Sequence, residues 1–149
     1  MLIDRDRGLM VCSHCGSQLE ASAVLKQLEL FDETARACPL CSRPLFNARL
    51  AGYPLACCAR CFGMLIDMNL FVAVIEAARA CEEHRVRTVP PPQQHAEQRL
   101  LTCPSCGQPM DNHAYGGPGN VTIDTCERCL VNWLDAGELR RIAIAPGTI

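Results

Sequence analysis

The sequence predicts a small α+β protein that is held together by clusters of cysteines rather than by one large apolar core. Three observations favour this fold class. Cysteine accounts for 12 of the 149 residues, whereas aromatic residues make up 5% of the chain. The cysteines occur mainly as Cys-x-x-Cys pairs, and four of these pairs form an internal repeat. Small modules that bury little apolar surface need such cross-links to fold.

The internal repeat relates residues 38–61 to residues 103–129. The first pair of each repeat has the form Cys-Pro-x-Cys, and a second pair follows after a spacer of 16 or 19 residues. The matching pairs are Cys38–Cys41 with Cys103–Cys106, at a shift of 65, and Cys58–Cys61 with Cys126–Cys129, at a shift of 68. The longer spacer contains the run 116–120, Gly-Gly-Pro-Gly-Asn, which predicts a longer hairpin tip.

This spacing is typical of a four-cysteine metal site. Zn²⁺ prefers four ligands in a tetrahedron, and two Cys-x-x-Cys turns on an antiparallel hairpin supply them without leaving an open position. We therefore expect two structural Zn²⁺ sites, with ligands Cys38, Cys41, Cys58 and Cys61 in the first and Cys103, Cys106, Cys126 and Cys129 in the second. Iron in a rubredoxin-like site would use the same ligands and stays an alternative. Cys57 breaks the two-residue spacing, so we interpret it as a packing residue.

Each hairpin is expected to lead into a helix. Asp135 and Glu138 have the spacing of a capping box, and the apolar residues that follow have helical periodicity. In the first repeat, Asp67 is expected to cap a longer helix over residues 68–84. Trp133 is interpreted as a core anchor between ribbon and helix.

The second repeat carries a longer signature than its cysteines alone. Its three parts are Cys-Pro-Ser-Cys-Gly at 103–107, Ile-Asp-x-Cys-x-x-Cys at 123–129, and Trp-Leu-Asp-Ala-Gly-Glu-Leu at 133–139. With these parts it resembles the transcription-factor-IIB-type zinc-ribbon domain of small prokaryotic proteins. The first repeat resembles a degenerate copy, because it keeps Gly63 and Asp67 but has Leu65 in place of the Trp and lacks the Gly-Glu-Leu ending. The resemblance covers residues 38–70 and 103–143 and implies zinc-bound ribbons.

Two further pairs suggest a third metal site. Cys12-x-x-Cys15 has the form of another knuckle, and Cys81-x-x-His84 places two ligands on one helical face. Together they would give a Cys₃His site that joins the N-terminus to the long helix. The alternatives are a helix-capping His84 with a buried apolar Cys81, a pairing of Cys12 and Cys15 with the first ribbon, and a redox-active Cys12-x-x-Cys15.

The chain divides into four predicted segments. They are an N-terminal knuckle and helix (1–37), zinc ribbon 1 with a long helix (38–84), a Pro-rich linker (85–99), and zinc ribbon 2 with a short C-terminal helix (100–149). The N-terminal helix is predicted from the apolar stripe Val24, Leu25, Leu28 and Phe31. The linker predicts that the two ribbons fold separately and contact separate surfaces.

Composition narrows the class of function. The net charge is −2 and no basic run is present, so the electrostatic footprint of a nucleic-acid-binding protein is missing. The first residues lack an apolar signal core, and the most apolar stretch is too short to span a membrane, so we expect a cytoplasmic protein. We find no motif for catalysis and expect no enzymatic activity.

Three functions are therefore compared. The first is a protein–protein interaction adaptor or assembly subunit that uses helix 68–84 for a partner or for self-association. The second is a nucleic-acid-binding or transcription-associated regulator, which the resemblance and the preference for Arg over Lys favour. The third is a redox or metal-handling protein that uses Cys12 and Cys15.

Overall fold

The fold is an antiparallel α+β arrangement, here described from a computed structural model. It covers residues 23–83, 87, 89 and 99–149, and for residues 2–4, 9–11 and 18–20 the backbone alone. The strands are β1 Leu2–Asp4, β2 Leu9–Val11, β3 Gln18–Glu20, β4 Leu28–Ala37, β5 Pro44–Leu50, β6 Tyr53–Cys57, β7 Met64–Asp67, β8 Asp111–Ala114, β9 Thr122–Cys126 and β10 Val131–Leu134. The helices are α1 Ala23–Lys26, α2 Met68–Cys81 and α3 Glu138–Ile144.

The described residues form two sheets, and the larger one contains both repeats. Strands β1, β2 and β3 form a three-stranded sheet, whereas the other seven strands are ordered β4-β5-β6-β7-β10-β9-β8. Strands β5–β7 belong to the first repeat and β8–β10 to the second, so the repeats meet at the β7–β10 pair. The fold class of two tandem ribbons, each followed by a helix, is confirmed.

The β7–β10 pair relates the repeats by a local two-fold axis. The pairs are Met64 with Leu134, Leu65 with Trp133, Ile66 with Asn132, and Asp67 with Val131. At the repeat shift of 68, Leu65 and Trp133 are equivalent positions. The pair on one side of them, Met64 with Leu134, is equivalent to the pair on the other side, Ile66 with Asn132. Exchanging the two repeats therefore leaves the register unchanged, with the axis at Leu65 and Trp133.

Trp133 fills the space at this axis. Its side chain is completely buried, and its ring lies directly against Gly63 of the first repeat. A Cβ atom on Gly63 would lie 2.2 Å from Cζ2 of the ring, so no larger residue fits there. Trp133 is therefore a core anchor, as expected, but it anchors one ribbon to the other instead of joining ribbon and helix.

Alternate residues of the central strands supply two apolar clusters, because successive side chains point to opposite faces of a sheet. One cluster, the helix-side core, lies beneath α2 and α3 and includes Met64, Ile66, Phe71, Val74, Ile75, Leu134, Leu139 and Ile142. The other, the metal-side core, includes Leu45, Ala56, Leu65, Leu101, Met110, Val131, Trp133 and buried cysteines of both repeats. Each cluster contains residues of both repeats, so both cores are shared.

The predicted N-terminal helix is wrong over most of its length. Residues Ala23–Lys26 form one helical turn, and Leu28–Ala37 is strand β4. Leu28 and Leu30 are more buried than Glu29 and Phe31, which is the alternation of a strand. Leu28 and Phe31, two of the apolar residues that predicted a helix, thus lie on different faces of the strand, and the pairing of β4 with β5 stabilises the strand instead.

The two predicted caps also differ from expectation. Asp67 precedes α2 at the N-cap position, but its side chain makes no capping hydrogen bond. At α3 half of the capping box forms, since the backbone N–H of Asp135 donates to Glu138 Oε2 over 2.7 Å. The Asp135 carboxylate instead accepts from Trp133 Nε1 over 3.0 Å, because the indole lies within its reach. None of the helices in the described part of the chain is long and apolar enough to cross a membrane.

The shared sheet and cores contradict the expectation that the ribbons fold separately. Leu134→Ala should show this, because Leu134 is fully buried in the helix-side core between elements of both repeats. We expect the free energy of unfolding to fall by about 2–5 kcal/mol, with a single transition for the whole sheet. Guanidinium unfolding of the metal-loaded protein, followed by tryptophan fluorescence and circular dichroism, measures both quantities.

The matched control is Leu130→Ala, because Leu130 is four residues away and exposed. Its unfolding free energy should change by no more than about 0.5 kcal/mol. Two separate transitions, of which Leu134→Ala shifts one, would show that the ribbons are independent after all.

Candidate metal centres

Four thiols converge in each ribbon. One group consists of Cys38, Cys41, Cys58 and Cys61, and the other of Cys103, Cys106, Cys126 and Cys129. Within each group the Sγ atoms all lie within 4.8 Å of one another. The structure thus brings together the eight cysteines that the repeat predicts, four from each copy.

The sulfur spacing suits a tetrahedral ion. The Sγ atoms of Cys38 and Cys61 are 3.7 Å apart, as are those of Cys106 and Cys126. A regular tetrahedron with metal–sulfur bonds of about 2.3 Å has sulfur–sulfur edges of about 3.8 Å. The ten cysteines in the described part of the chain all have free thiols. Each group therefore suits one ion, such as Zn²⁺, with all four positions taken by protein ligands.

The four knuckles share one backbone geometry. The residue after the second cysteine has a positive φ in each, namely Ser42 at 58°, Phe62 at 58°, Gly107 at 72° and Leu130 at 55°. In three knuckles the N–H of this residue donates to the carbonyl of the first cysteine over 2.8–2.9 Å. This closed turn directs both sulfurs to the same side. Gly107 alone signals it in the sequence, since a left-handed residue is usually glycine.

Backbone N–H groups point at the sulfurs. Cys41 N–H donates to Cys38 Sγ over 3.3 Å, and Gly63 N–H donates to Cys61 Sγ over 3.4 Å. In the second site Ser105 N–H donates to Cys103 Sγ over 3.4 Å. Such donors stabilise thiolates, the form in which cysteine binds a metal.

The thiols do not all ionise together. Burial raises the pKa of Cys61, whereas at Cys58 the N–H groups of Cys61 and Arg60 outweigh burial and lower the pKa. In the second site the N–H of Gln108 lowers the pKa of Cys106 to about 7. Cys129 shares a hydrogen bond with Cys106, and its pKa is raised to about 12. Each site therefore retains protons near neutral pH that a metal ion has to displace.

Among the described cysteines, Cys57 and Cys81 lie outside these groups. Cys57 is completely buried in the helix-side core, and burial raises its pKa to about 12, as suits a packing residue. Cys81 is half-buried at the end of α2. Cys12, Cys15 and His84 lie outside the described residues, so the third site stays a prediction.

An ionic network that the sequence did not reveal supports the second site. Asp124 is almost fully buried, accepts from Asn112 Nδ2 over 2.9 Å and lies 3.7 Å from the Arg99 guanidinium. Arg99 also pairs with Asp135, which accepts from the Trp133 indole. Burial raises the pKa of Asp124. Arg99 thus holds two carboxylates beside Trp133 and fixes the ring in the metal-side core.

Substitution of neighbouring cysteines should separate ligands from packing residues. We expect Cys58→Ser to lower the metal content by one ion per chain, because it removes a thiol from the first group. Cys57→Ser, the adjacent control, should leave the metal content unchanged. Inductively coupled plasma mass spectrometry on the purified variants measures this, and a loss of metal in Cys57→Ser alone would exchange the two roles.

Metal affinity should fall as the pH is lowered. At neutral pH the Cys129 thiol, with a pKa near 12, still carries its proton, and below about pH 7 Cys106 is protonated as well. Each proton that binding displaces changes the apparent affinity by about tenfold per pH unit. Competition titrations with Co²⁺ and a chelator between pH 6 and pH 8 should show a slope that steepens on the acid side; an affinity independent of pH would contradict this.

Comparison with known proteins agrees with this geometry. Residues 102–144 match the model of the family described as transcription factor zinc-finger, of the transcription-factor-IIB zinc-ribbon type. Neither the curated proteins nor the solved structures gave a match to the chain. The matched segment contains all four thiols of the second group together with Trp133 and α3. Residues 102–144 are therefore similar to the zinc-ribbon domains of this family.

Proposed function

We propose that this protein is a non-enzymatic zinc-binding adaptor, in which two structural Zn²⁺ ions hold a rigid sheet that contacts a protein partner. The closed four-thiol groups support the structural role, because they leave no coordination position for a substrate or water. The ten described cysteines form no disulfide, and the cytosol keeps thiols reduced, which supports a cytoplasmic location. The observation that carries the adaptor role is an exposed apolar patch where the repeats meet.

The patch is formed by Val72 and Leu130. The N–H of Met68 at the start of α2 donates to the carbonyl of Leu130 over 2.9 Å, and Val72 lies one helical turn further along. Val72 is 49% exposed and Leu130 is 60% exposed. We call these two residues the Val72–Leu130 patch.

The left-handed turn of the knuckle does not by itself force Leu130 to be exposed. At the repeat shift of 68 its equivalent is Phe62, which has nearly the same φ and is almost fully buried in the helix-side core. The same turn thus buries a large apolar side chain in one repeat and exposes one in the other. Apolar side chains exposed together commonly mark contact sites.

The patch narrows the predicted interaction surface on helix 68–84. Phe71, Val74, Ile75 and Ala78 are buried against the sheet and α3. The face of α2 that carries these residues is therefore covered in large part by α3 and the sheet. Among the described residues of α2, Val72 is the exposed large apolar side chain.

Nucleic-acid binding is the second candidate. The family description favours it, and so do Arg60 and Arg128, exposed residues at equivalent positions in the two knuckles. The net charge of −2 and the neighbouring Glu127 oppose it. The adaptor role is better supported because the exposed apolar patch gives it a defined surface.

Val72→Glu and Leu130→Glu should leave the metal content and the unfolding transition unchanged, because both side chains are exposed. Each should abolish self-association or partner capture, since a buried charge is costly in an apolar contact. Sedimentation equilibrium measures self-association. Co-purification from the native host, quantified by mass spectrometry, measures partner capture. Leu40→Glu is the control, because Leu40 is 42% exposed on a knuckle of the first ribbon.

Two results would contradict the adaptor proposal. Variants that lose metal or unfold would show that the patch is part of the core. Variants that keep every partner would show that it is not the contact surface. Salt-dependent binding of duplex DNA or RNA that Arg60→Gln and Arg128→Gln weaken would favour the second candidate.

A further inference from the structure

Gly63 belongs to the first metal site through both of its backbone groups. Its N–H donates to Cys61 Sγ over 3.4 Å, and its carbonyl accepts from the N–H of Cys58 over 3.0 Å. Any movement of Gly63 therefore changes the knuckle that supplies two of the four thiols. Its φ lies outside the left-handed region, so backbone conformation alone does not require glycine here.

The second metal site holds the residue that packs on Gly63. Cys126, a thiol of that site, pairs with Val131 in the β9–β10 register, and two residues further along this strand lies Trp133. The Trp133 ring contacts the position of Gly63 so closely that a Cβ there would lie 2.2 Å from it. Cys126, Val131, Trp133 and Gly63 thus form a continuous path from one site to the other.

We propose that the two metal sites are thermodynamically coupled, so that an ion in either site raises the affinity of the other, through the Trp133 ring packed on Gly63. An ion in the second site fixes β10 and with it the ring, and the ring fixes Gly63 in the conformation that the first site needs. Coupling between binding sites is reciprocal, so an ion in the first site stabilises the second equally. Metal binding and folding are linked in small modules. The β7–β10 pair is shared by both ribbons, so its formation contributes to metal binding at each of the two sites.

The test follows each site separately in the full chain. The metal-free, reduced protein is titrated with ¹¹³Cd²⁺, and the resonances are assigned by their loss in Cys38→Ser and Cys103→Ser; a resonance present in both variants belongs to neither site. We expect the two resonances of the wild type to grow in parallel. In Cys103→Ser the affinity of the first site for Cd²⁺, measured in competition with EDTA, should be about tenfold lower than in the wild type, within the range usual for coupled sites.

Trp133→Leu, which introduces the residue that the first repeat has at the equivalent position, should remove this coupling. In that background, adding Cys103→Ser should no longer lower the affinity of the first site. Leu139→Ala is the matched control, because Leu139 is equally buried in the second repeat but lies in the helix-side core. It should lower stability and preserve the coupling.

Gly63→Ala provides a test that does not depend on whether Trp133→Leu folds. The added Cβ displaces the ring from the side of the first repeat, so the affinity of the second site should fall although its own ligands are unchanged. A first-site affinity that is unaffected by Cys103→Ser, coupling that persists in Trp133→Leu, or a second-site affinity that is unchanged in Gly63→Ala would each overturn the proposal.

Discussion

Four thiols have to reach one point from two separate knuckles, and the architecture of each ribbon follows from this constraint. A metal–sulfur tetrahedron allows sulfur separations of about 3.8 Å, so the two knuckles of a ribbon must lie side by side. An antiparallel hairpin accomplishes this, because it returns the chain to its starting point. Each Cys-x-x-Cys pair then needs a left-handed residue to close its turn, and Ser42, Phe62 and Leu130 adopt that conformation although they are not glycine. Backbone N–H groups at the turn direct their positive ends at the sulfurs, so the same turns that position the thiols also favour their ionised form.

A single ribbon leaves one edge of its hairpin unpaired, and the duplicated sequence removes this edge by pairing its two copies. Unpaired strand edges invite association with other chains. Here β7 and β10, the equivalent last strands of the two ribbons, pair about a local two-fold axis. At that axis two equivalent large side chains would compete for the same space. The repeats have diverged to Leu65 and Trp133, and the indole occupies the room that Gly63 leaves. Arg99 then fixes the indole indirectly through Asp135, so an ionic network at the edge of the second ribbon stabilises the contact between both ribbons.

The cysteine spacing and the register of the repeat were sufficient to predict two ribbons, the grouping of the eight thiols and the exclusion of Cys57. These features depend on residues close together in the chain and on the fixed geometry of a tetrahedral ion. The β4 strand could not be predicted, because Val24, Leu25, Leu28 and Phe31 fit a helical stripe and not an alternating one, and the strand depends on pairing with β5. Trp133 was expected to join its ribbon to the helix, whereas it joins the two ribbons, and this too depends on a contact between distant parts of the chain. Its contact with Gly63 joins residues 70 positions apart, and no local pattern encodes it.

Positions at which the two copies differ are more informative about the proposed contact surface than positions at which they agree. Positions that both repeats keep, such as the cysteines, serve the metal and the hairpin. Positions at which the copies differ are free of that constraint, and the clearest case is the left-handed residue after the last cysteine. Phe62 is turned into the helix-side core, whereas Leu130 is exposed beside the start of α2. The helices differ in the same way, since α2 extends over 14 residues and α3 over 7, and Val72 lies on the exposed side of the longer one. Both differences place apolar surface at one end of the β7–β10 pair. This strand pair joins the two ribbons and lies between the two proposed metal sites. A partner bound at that surface would therefore contact the element that joins the ribbons.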